Sequence, residues 1–305
     1  MGIKLFLLYL VVVIINFSQL ETEVVKKNIE FKEDELKKEE KKEEIKIATK
    51  KIVTKKNEQL KFEKNQKIKG TYKKIDLLHL SDIQPIPGEK LVPRVIYNMD
   101  HVSLKGLNVP KKKQAFFEII VPTAMIVIEE IEETREGLKL VIEGKKDRDE
   151  EYLSKMYEKY RVKEKDIEVL YHKLKPVPIS ILLSQAILES GWGTSRFFEK
   201  ANNIFGVWSV DPTEPRIKAG QARVNKQVYL RSYPTLKESI ADYMKLLARH
   251  KAYSEFRKKL QETDDYKVLV PKLDKYSEME EIYINRLLAT IEHNKLYQYD
   301  GYEFE

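Results

Sequence analysis

Residues 178–189 read PISILLSQAILE and are followed by SGWGTS over residues 190–195. A proline suits the first turn of a helix, because the N–H that it lacks has no helical partner there. The apolar residues recur at positions i, i+3, i+4, i+7 and i+8 and therefore share one face. They are Ile179, Leu182, Leu183, Ala186 and Ile187. This stretch predicts a largely buried helix that ends at an acidic residue.

Glu189 lies at the border of this apolar face, in the last turn of the predicted helix. The carboxyl end of a helix dipole and an apolar flank both favour the protonated form of a carboxyl group. An acid that stays protonated near neutral pH can act as a general acid. Two glycines then permit a sharp exit, and Thr194 or Ser195 can cap a short helix that reaches about Lys200.

Helical spacing continues on the carboxyl side of this segment. Apolar positions predict helices over residues 235–248 and 280–297. Between them and the central helix, residues 219–233 carry Val224, Val228 and Leu230 and are predicted to form a short antiparallel hairpin.

The amino side is irregular over residues 75–110, where prolines and glycines separate short apolar pieces. A helix is predicted over residues 111–139, broken or kinked at Pro122. Shorter helices are expected over residues 149–160 and 163–172. The predicted fold class is therefore mainly α, with a small β-hairpin lobe and an N-terminal helical extension.

The composition excludes several classes of chemistry. The chain has 305 residues, 56 Lys and Arg against 49 Asp and Glu, a formal charge of +7 and no cysteine. Disulfides, thiolate nucleophiles and cysteine-bound metals are therefore ruled out. The five histidines are far apart and form no HExxH motif, so no metal site and no cofactor are predicted. Basic residues are balanced by acids and lack interleaved aromatics, which argues against nucleic-acid binding.

The N-terminus has the shape of an export signal. Residues 5–17 form an apolar run of about 13 residues, preceded by Lys4, which is the length of a signal h-region rather than of a membrane span. No clear small-residue cleavage site follows, so residues 1–20 are either a cleaved signal or an inner-membrane anchor. Export to the periplasm or cell envelope is predicted in both cases.

The remaining chain divides into three predicted parts. Residues 21–70 are a charged Lys/Glu-rich linker, most simply a tether. Residues 71–160 are the helical N-terminal extension, and residues 161–305 are the catalytic domain.

The central motif and several later blocks resemble a known family. The motif QAILESGWGTS at 185–195 is similar to the signature of the bacterial glucosaminidases of glycoside hydrolase family 73, and more closely to their Bax-type branch from the Gram-negative envelope. The supporting blocks are NNIFG at 202–206, YPT at 233–235, SIADYM at 239–244, HKAY at 250–253, YSE at 276–278 and IEHNKL at 291–296. The resemblance covers about residues 90–297 and implies a lysozyme-like catalytic fold.

The resemblance implies an endo-β-N-acetylglucosaminidase. Its substrate is the peptidoglycan glycan strand, cleaved at the β-1,4 bond on the reducing side of N-acetylglucosamine, and Glu189 matches the general acid. The residues themselves supply the reason, because protonating a glycosidic oxygen requires a carboxylic acid that stays neutral until it is used.

Five further residues are candidates for substrate binding. Asn202 and Asn203 carry amides that suit acetamido and hydroxyl groups, or that hold a turn. Trp192, Phe205 and Trp208 offer flat faces to sugar rings, and core packing is the alternative for each.

The second catalytic group is left open. Asp211 and Glu214 are the only acids between residues 209 and 229, and Gln227 occupies the position where relatives of the family carry an acid. Either Glu214 or Asp211 acts as a base, or the acetamido group of the substrate takes part itself. Tyr233 or Tyr243 then orients that group or the attacking water, with core packing as the alternative.

Two other functions are carried as alternatives. A lytic transglycosylase uses a single acid on a similar fold, and the scarcity of acids in the lobe is compatible with it. A catalytically silent wall-binding scaffold is motivated by Gln227, whereas the intact motif around Glu189 argues against it. The oligomeric state is not predicted.

Overall fold

The computed structural model describes residues 71–88, 90–220 and 227–305. The expected signal or anchor at residues 1–20 and the charged linker at residues 21–70 lie outside the described residues. Helices dominate the described part and strands are short, so the predicted mainly α fold class is confirmed. None of the helices in these three ranges combines the length and the apolar character that a membrane crossing needs.

Short strands occupy the segment expected to be irregular. They are β1 (Lys73–Asp76), β2 (Leu91–Val92) and β3 (Val95–Asn98), with a 3-10 turn at Leu80–Asp82. Strands β1 and β3 pair in parallel, and β2 pairs in parallel with β6 (Glu303–Phe304) near the other end of the chain. Runs of two to four residues are too short for a period of two to be visible in the sequence.

Helix α1 (Val109–Ile142) has 34 residues and continues through Pro122. Of the two expectations for this proline, a break or a kink, the break is therefore wrong. An interior proline costs about 3 kcal/mol, but residues 119–127 are buried on both sides of it. Burial of several large side chains, at about 1.5–3 kcal/mol each, outweighs that cost.

The next helices follow the predicted order. They are α2 (Glu150–Tyr160), α3 (Ile167–Lys173), α4 (Ile179–Ser190) and α5 (Arg196–Ala201). Helix α3 begins four residues later than predicted, because the carboxylate of Asp166 accepts hydrogen bonds from the N–H groups of Glu168 and Val169. Ser195 is the cap of α5, since its Oγ accepts a bond from Phe198 N at 3.1 Å.

The hairpin lobe lies between α5 and the closing helices. Strands β4 (Arg216–Lys218) and β5 (Tyr229–Arg231) pair antiparallel, so the hairpin is confirmed and begins three residues earlier than predicted. The closing helices are α6 (Leu236–Arg249), α7 (Ser254–Glu262), α8 (Tyr266–Leu269) and α9 (Glu280–His293), followed by a 3-10 turn at Leu296–Gly301. Helices α7 and α8 were not predicted, and α9 ends four residues before the predicted position.

Helix α4 lies at the centre of the main hydrophobic core. Its residues 179–187 are buried, and it packs against α1, α9 and the Leu296–Gly301 turn. Its first turn lacks a local cap, because Pro178 precedes it, and Oδ1 of Asp300 accepts the bond from Ser180 N at 2.8 Å instead. A smaller cluster joins the end of α1 to α2, α3 and Ala248. Since α1 contributes to the same core as α4, the predicted extension helps to hold the central helix.

Candidate active site

Glu189 lies one residue before the carboxyl end of α4, where the chain turns sharply. Gly191 adopts a left-handed conformation with φ of 58°, and its N–H donates to the Ile187 carbonyl. Ser190 holds the turn, because its Oγ donates to Ala186 O at 2.5 Å and accepts from Gly193 N at 2.9 Å. The backbone beneath the acid is thereby fixed.

Gly193 is needed for two separate reasons. Its φ is 71°, a conformation that side chains rarely adopt. A Cβ atom would also lie 3.0 Å from Leu104 Cδ1 and 3.1 Å from Phe198 Cε1. The motif therefore packs the turn directly against the core.

A chain of hydrogen bonds ends at the acid. Tyr283 Oη donates to Glu189 Oε1 at 3.0 Å, and Gln185 Nε2 donates to Tyr283 Oη at 3.0 Å. Tyr243 Oη in turn donates to Gln185 Oε1 at 2.6 Å. Both ends of the buried Gln185 amide are thus occupied, and the Tyr283 hydroxyl is fixed toward the carboxyl group.

Burial raises the pKa of Glu189, and the hydrogen bond from Tyr283 opposes that rise. The side chain is only partly covered. Tyr276, which stacks on Tyr283 with ring centroids 5.7 Å apart, adds apolar surface to the same region. The environment keeps the acid protonated to a higher pH than in water, which is the property expected of a general acid.

Two of the residues predicted to bind substrate belong to the core. Tyr243 is fully buried and Phe205 is 4% exposed. Their rings stack on each other at 4.1 Å. Because the rings are buried against each other, the structure favours the alternative of core packing, and a direct contact with substrate stays a prediction. Tyr243 contributes indirectly, through its bond to Gln185.

The two asparagines stabilise the loop that leads to the hairpin lobe. Asn202 has a left-handed backbone, and its Nδ2 donates to the carbonyls of Tyr233 and Pro234. Asn203 is 1% exposed and makes three bonds, from Nδ2 to the carbonyls of Val207 and Arg231 and from Val207 N to Oδ1. Because these amides are used within the protein, the structure favours the alternative in which they hold the turn, and substrate binding by them stays a prediction.

The two tryptophans differ in exposure. Trp192 packs edge-on against Phe116 and Phe117 at 5.6 Å each, and Lys113 Nζ lies 4.9 Å from its ring centroid. Trp208 is 53% exposed on the hairpin lobe, where it forms a β-bridge with Leu230. Trp208 is therefore the better placed of the two to contact a sugar ring.

Glu214 and Tyr233 belong to a different group of side chains. Glu214 Oε2 lies 3.0 Å from Arg231 Nε, and Tyr233 Oη donates to Asp242 Oδ2 at 2.8 Å. Burial, followed by the charge of Asp242, raises the pKa of Tyr233 well above its usual value. Among the described residues, neither side chain is hydrogen-bonded to Glu189. Their catalytic roles stay predictions.

The remaining polar candidates of the lobe also bond locally. Oδ1 of Asp211 accepts bonds from the N–H and the hydroxyl of Thr213, and these bonds lower the pKa of the exposed Asp211 carboxyl. The amide of Gln227 donates to the carbonyls of Ala219 and Val228. Within residues 71–88, 90–220 and 227–305, no group of three or more metal-ligating side chains is placed to hold an ion.

No role in the site was predicted for Gln185 or Tyr283. A signal for Gln185 was present, since a glutamine in an otherwise apolar helix, four residues before Glu189, must find a buried partner on the same side. The identity of that partner was not visible, because Tyr283 lies 98 residues further along the chain.

The mainly helical fold and the acid Glu189 are what is expected of a glycoside hydrolase. A carboxyl group that stays protonated at the end of a buried helix is what a glycoside hydrolase requires of its general acid. Residues 165–296 match the glucosaminidase family, described as mannosyl-glycoprotein endo-beta-N-acetylglucosaminidase. This part of the chain is therefore similar to a glucosaminidase domain.

The proteins that are similar to the chain include two curated proteins and one solved structure. The exo-glucosaminidase LytG of Bacillus subtilis is 30% identical over 141 residues, which cover 44% of this chain and 49% of that protein. Protein bax of Escherichia coli is 30% identical over 132 residues, covering 41% and 46%. The chain thus spans about half the length of these relatives. The catalytic domain of the autolysin Auto from Listeria monocytogenes aligns with a TM-score of 0.40 and 20% identity, over 64% of this chain and 91% of that domain.

Proposed function

We propose that the protein is a peptidoglycan hydrolase that cleaves the β-1,4 bond at N-acetylglucosamine, with Glu189 as the general acid. The observation that carries the proposal is the Glu189 side chain itself, partly buried at the end of α4, with its pKa raised by burial. The glucosaminidase domain at residues 165–296 and its similarity to LytG and bax support the same activity.

In this mechanism protonated Glu189 donates its proton to the glycosidic oxygen as the bond to the anomeric carbon breaks. Positive charge then develops on the sugar ring. Tyr283 holds one carboxyl oxygen, Oε1, so the proton to be transferred is carried on the other oxygen. After transfer, the same hydrogen bond stabilises the carboxylate.

The group that completes the reaction is proposed to be the acetamido oxygen of the substrate. Glu214 is ion-paired with Arg231, and Asp211 is bonded within its own turn, which supports a mechanism without a protein base. Participation of the acetamido group forms a cyclic intermediate, which water then opens to give a reducing sugar.

A lytic transglycosylase is the second candidate, because its mechanism also works without a protein base. Such an enzyme also needs a single acid, but the 6-hydroxyl of muramic acid attacks in place of water. It leaves an anhydro sugar, whereas the hydrolase leaves a reducing N-acetylglucosamine. The chemical nature of the new end therefore separates the two candidates.

The proposed site of action is the cell wall, outside the cytoplasm. Peptidoglycan as substrate supports this location, and residues 1–20 are proposed as the export signal or anchor. The oligomeric state has no bearing on the proposed chemistry, because Glu189, Tyr283 and Gln185 come from one chain.

The test is mass spectrometry of the fragments released from purified peptidoglycan by the full chain. The variant is Glu189→Gln, and the matched control is Glu168→Gln, an exposed acid in the first turn of α3. Reducing N-acetylglucosamine ends are expected from the wild type and the control, and not from Glu189→Gln. Fragment lengths distinguish endo from exo cleavage.

Anhydro ends that depend on Glu189 would assign the protein to the transglycosylases instead. Binding of peptidoglycan without any release of fragments would refute both activities and favour a wall-binding scaffold.

A further inference from the structure

A cavity lies apart from the acid. Its volume is about 620 Å³, within the range of roughly 300–1,000 Å³ that is usual for small-ligand sites. Helices α1, α2 and α6 and the hairpin lobe form its walls. Asp242 and Lys245 of α6 line the cavity, whereas the intervening Tyr243 is buried and bonded to Gln185. Helix α6 therefore separates this cavity from the network around Glu189.

The cavity has a charged floor with unused hydrogen-bonding capacity. Arg231 bonds Asp242 Oδ2 at 2.8 Å, and Asp242 Oδ1 also pairs with Lys245 at 2.6 Å. Arg231 is also ion-paired with Glu214 through Oε2. The other oxygen of Glu214, Oε1, is buried and has no hydrogen-bond partner within the described ranges. A buried carboxylate oxygen without a partner is costly. The Glu214 side chain is 23% exposed, so a rotation of the carboxyl group would let this oxygen accept an N–H group of a ligand.

Lys159, an exposed lysine of α2, lies at the rim of the cavity. Within the part of the chain that the structure describes, no carboxylate lies within ion-pair distance of Lys159. Its amino group lies 5.4 Å from the ring centroid of Tyr160. Burial and the charge of Lys245 lower the pKa of Lys159. An anionic group of a ligand placed at this rim would offset the repulsion between the two lysines.

Two other acids of the cavity wall are already engaged. Glu130 pairs with Lys237 at 2.6 Å, and Glu238 accepts a bond from Thr235. They leave the positive rim at Lys159 available. The apolar part of the wall suits methyl and methylene groups and is formed by Val127, Ile131, Met156 and Leu174.

We propose that this cavity binds a short peptide with a free carboxylate, the carboxylate lying at Lys159 and a peptide or ammonium N–H at Glu214 Oε1. The identity of the ligand rests on the proposed function: it is the peptide carried by the glycan strands of peptidoglycan. Occupation of the cavity gives the enzyme a preference for glycan that carries peptides over glycan that has been stripped of them.

The binding test uses the full chain and a defined probe. Alanyl-glutamate, with free carboxylates and a free amino group, is titrated into the protein and followed by NMR. Alanyl-glutamine amide, which has the same shape without the carboxylates, is the control ligand. Lys159→Gln removes the amino group, and Lys155→Gln, one turn earlier on α2 and paired outside the cavity with Glu151, is the control variant.

Lys159→Gln is expected to weaken alanyl-glutamate binding by about fivefold, as for the loss of a partly exposed ion pair. Lys155→Gln is expected to leave the affinity for alanyl-glutamate unchanged. The amide analogue is expected to bind the wild type and Lys159→Gln equally weakly. Two results would overturn the proposal. In one, the wild type binds both ligands with equal affinity; in the other, Lys159→Gln binds alanyl-glutamate as tightly as the wild type does.

The activity test compares cleavage of intact and peptide-stripped glycan. The wild type is expected to prefer intact glycan, and Lys159→Gln is expected to lose that preference while its rate on stripped glycan is unchanged. A preference that survives in Lys159→Gln contradicts the proposed site. Carboxylate-dependent peptide binding without cleavage of either glycan would instead refute the proposed function and leave the peptide site supported.

Discussion

Replacing Tyr283 by phenylalanine removes one hydroxyl group from the acid and leaves the ring in place. The hydroxyl donates to Glu189 Oε1 at 3.0 Å, and a bond of this kind stabilises the carboxylate more than the protonated acid. Without it, burial alone determines the direction of the pKa shift. The pKa of Glu189, already raised in the wild type, is therefore expected to rise further in Tyr283→Phe.

The size of the rise follows from the strength of the bond. A hydrogen bond to a charged group contributes about 1.5–3 kcal/mol, and one pKa unit corresponds to about 1.4 kcal/mol. That range converts to about one to two units. Because Glu189 is only partly covered, water replaces part of the lost bond, and a rise of about one unit is expected.

The assay is the dependence of kcat/KM on pH with purified peptidoglycan. Activity requires protonated Glu189 and falls as pH rises through its pKa, so the fall is expected about one unit higher in Tyr283→Phe than in the wild type. Titration of the carboxyl carbon by NMR, with Glu189→Gln identifying the signal, measures the same pKa without turnover. Tyr253→Phe is the matched control, since Tyr253 is also buried near Tyr276 but is not hydrogen-bonded to Glu189.

An alkaline limb that stays in place, or moves to lower pH, would refute this account of the acid. The variant also leaves Gln185 Nε2 without its acceptor, so the free energy of unfolding is expected to fall by about 1–3 kcal/mol. Urea denaturation of both variants separates that loss from the change in pKa.

Four further predictions concern residues whose roles the structure defines. Asn203→Ala removes three hydrogen bonds of a buried amide and should lower the free energy of unfolding by about 3 kcal/mol or more in urea denaturation. Asp300→Ala should lower it by about 1 kcal/mol, and Asp300→Asn, which keeps the accepting oxygen, by less. Gly193→Ala should cost about 1–3 kcal/mol, because φ is positive and Leu104 and Phe198 are close; a stability equal to the wild type would contradict this packing. Trp208→Ala should raise KM for glycan several-fold with little change in the urea midpoint, as expected for an exposed ring that stacks on a sugar.

The parts of the fold that were predictable depend on residues close together in sequence. The helix at residues 179–190 was visible because its apolar spacing, its initial proline and its terminal glycine all agree. The continuity of α1 was not, because it depends on burial against distant elements that outweighs the local effect of Pro122. Strands β2 and β6 were missed for a similar reason, since each has two residues and a partner remote in sequence.

The candidate site divides in the same way. The position of Glu189 follows from its own helix and was predicted. The rise of its pKa was predicted too, although the burial that causes it depends partly on residues distant in sequence. For Asn203 and Phe205 the sequence left substrate binding and a structural role open, because a polar amide or a flat ring near an active-site motif is equally suited to hold the loop. Only the partners, the carbonyl of Arg231 and the ring of Tyr243, decide between the two roles. These partners are brought near by the fold and leave no local pattern.

The cap of α4 has a consequence for the order of events during synthesis. Ser180 and its partner Asp300 are 120 residues apart, and the buried Leu296 belongs to the same turn that covers the helix. Strand β2 also cannot pair until Glu303 has been synthesised, because Leu91 pairs with Glu303. A growing chain on the ribosome therefore exposes the helix that carries the acid, unfinished at its first turn, until residue 300 has emerged. Because the last contacts to form join such distant residues, maturation of the domain is expected to follow synthesis rather than accompany it.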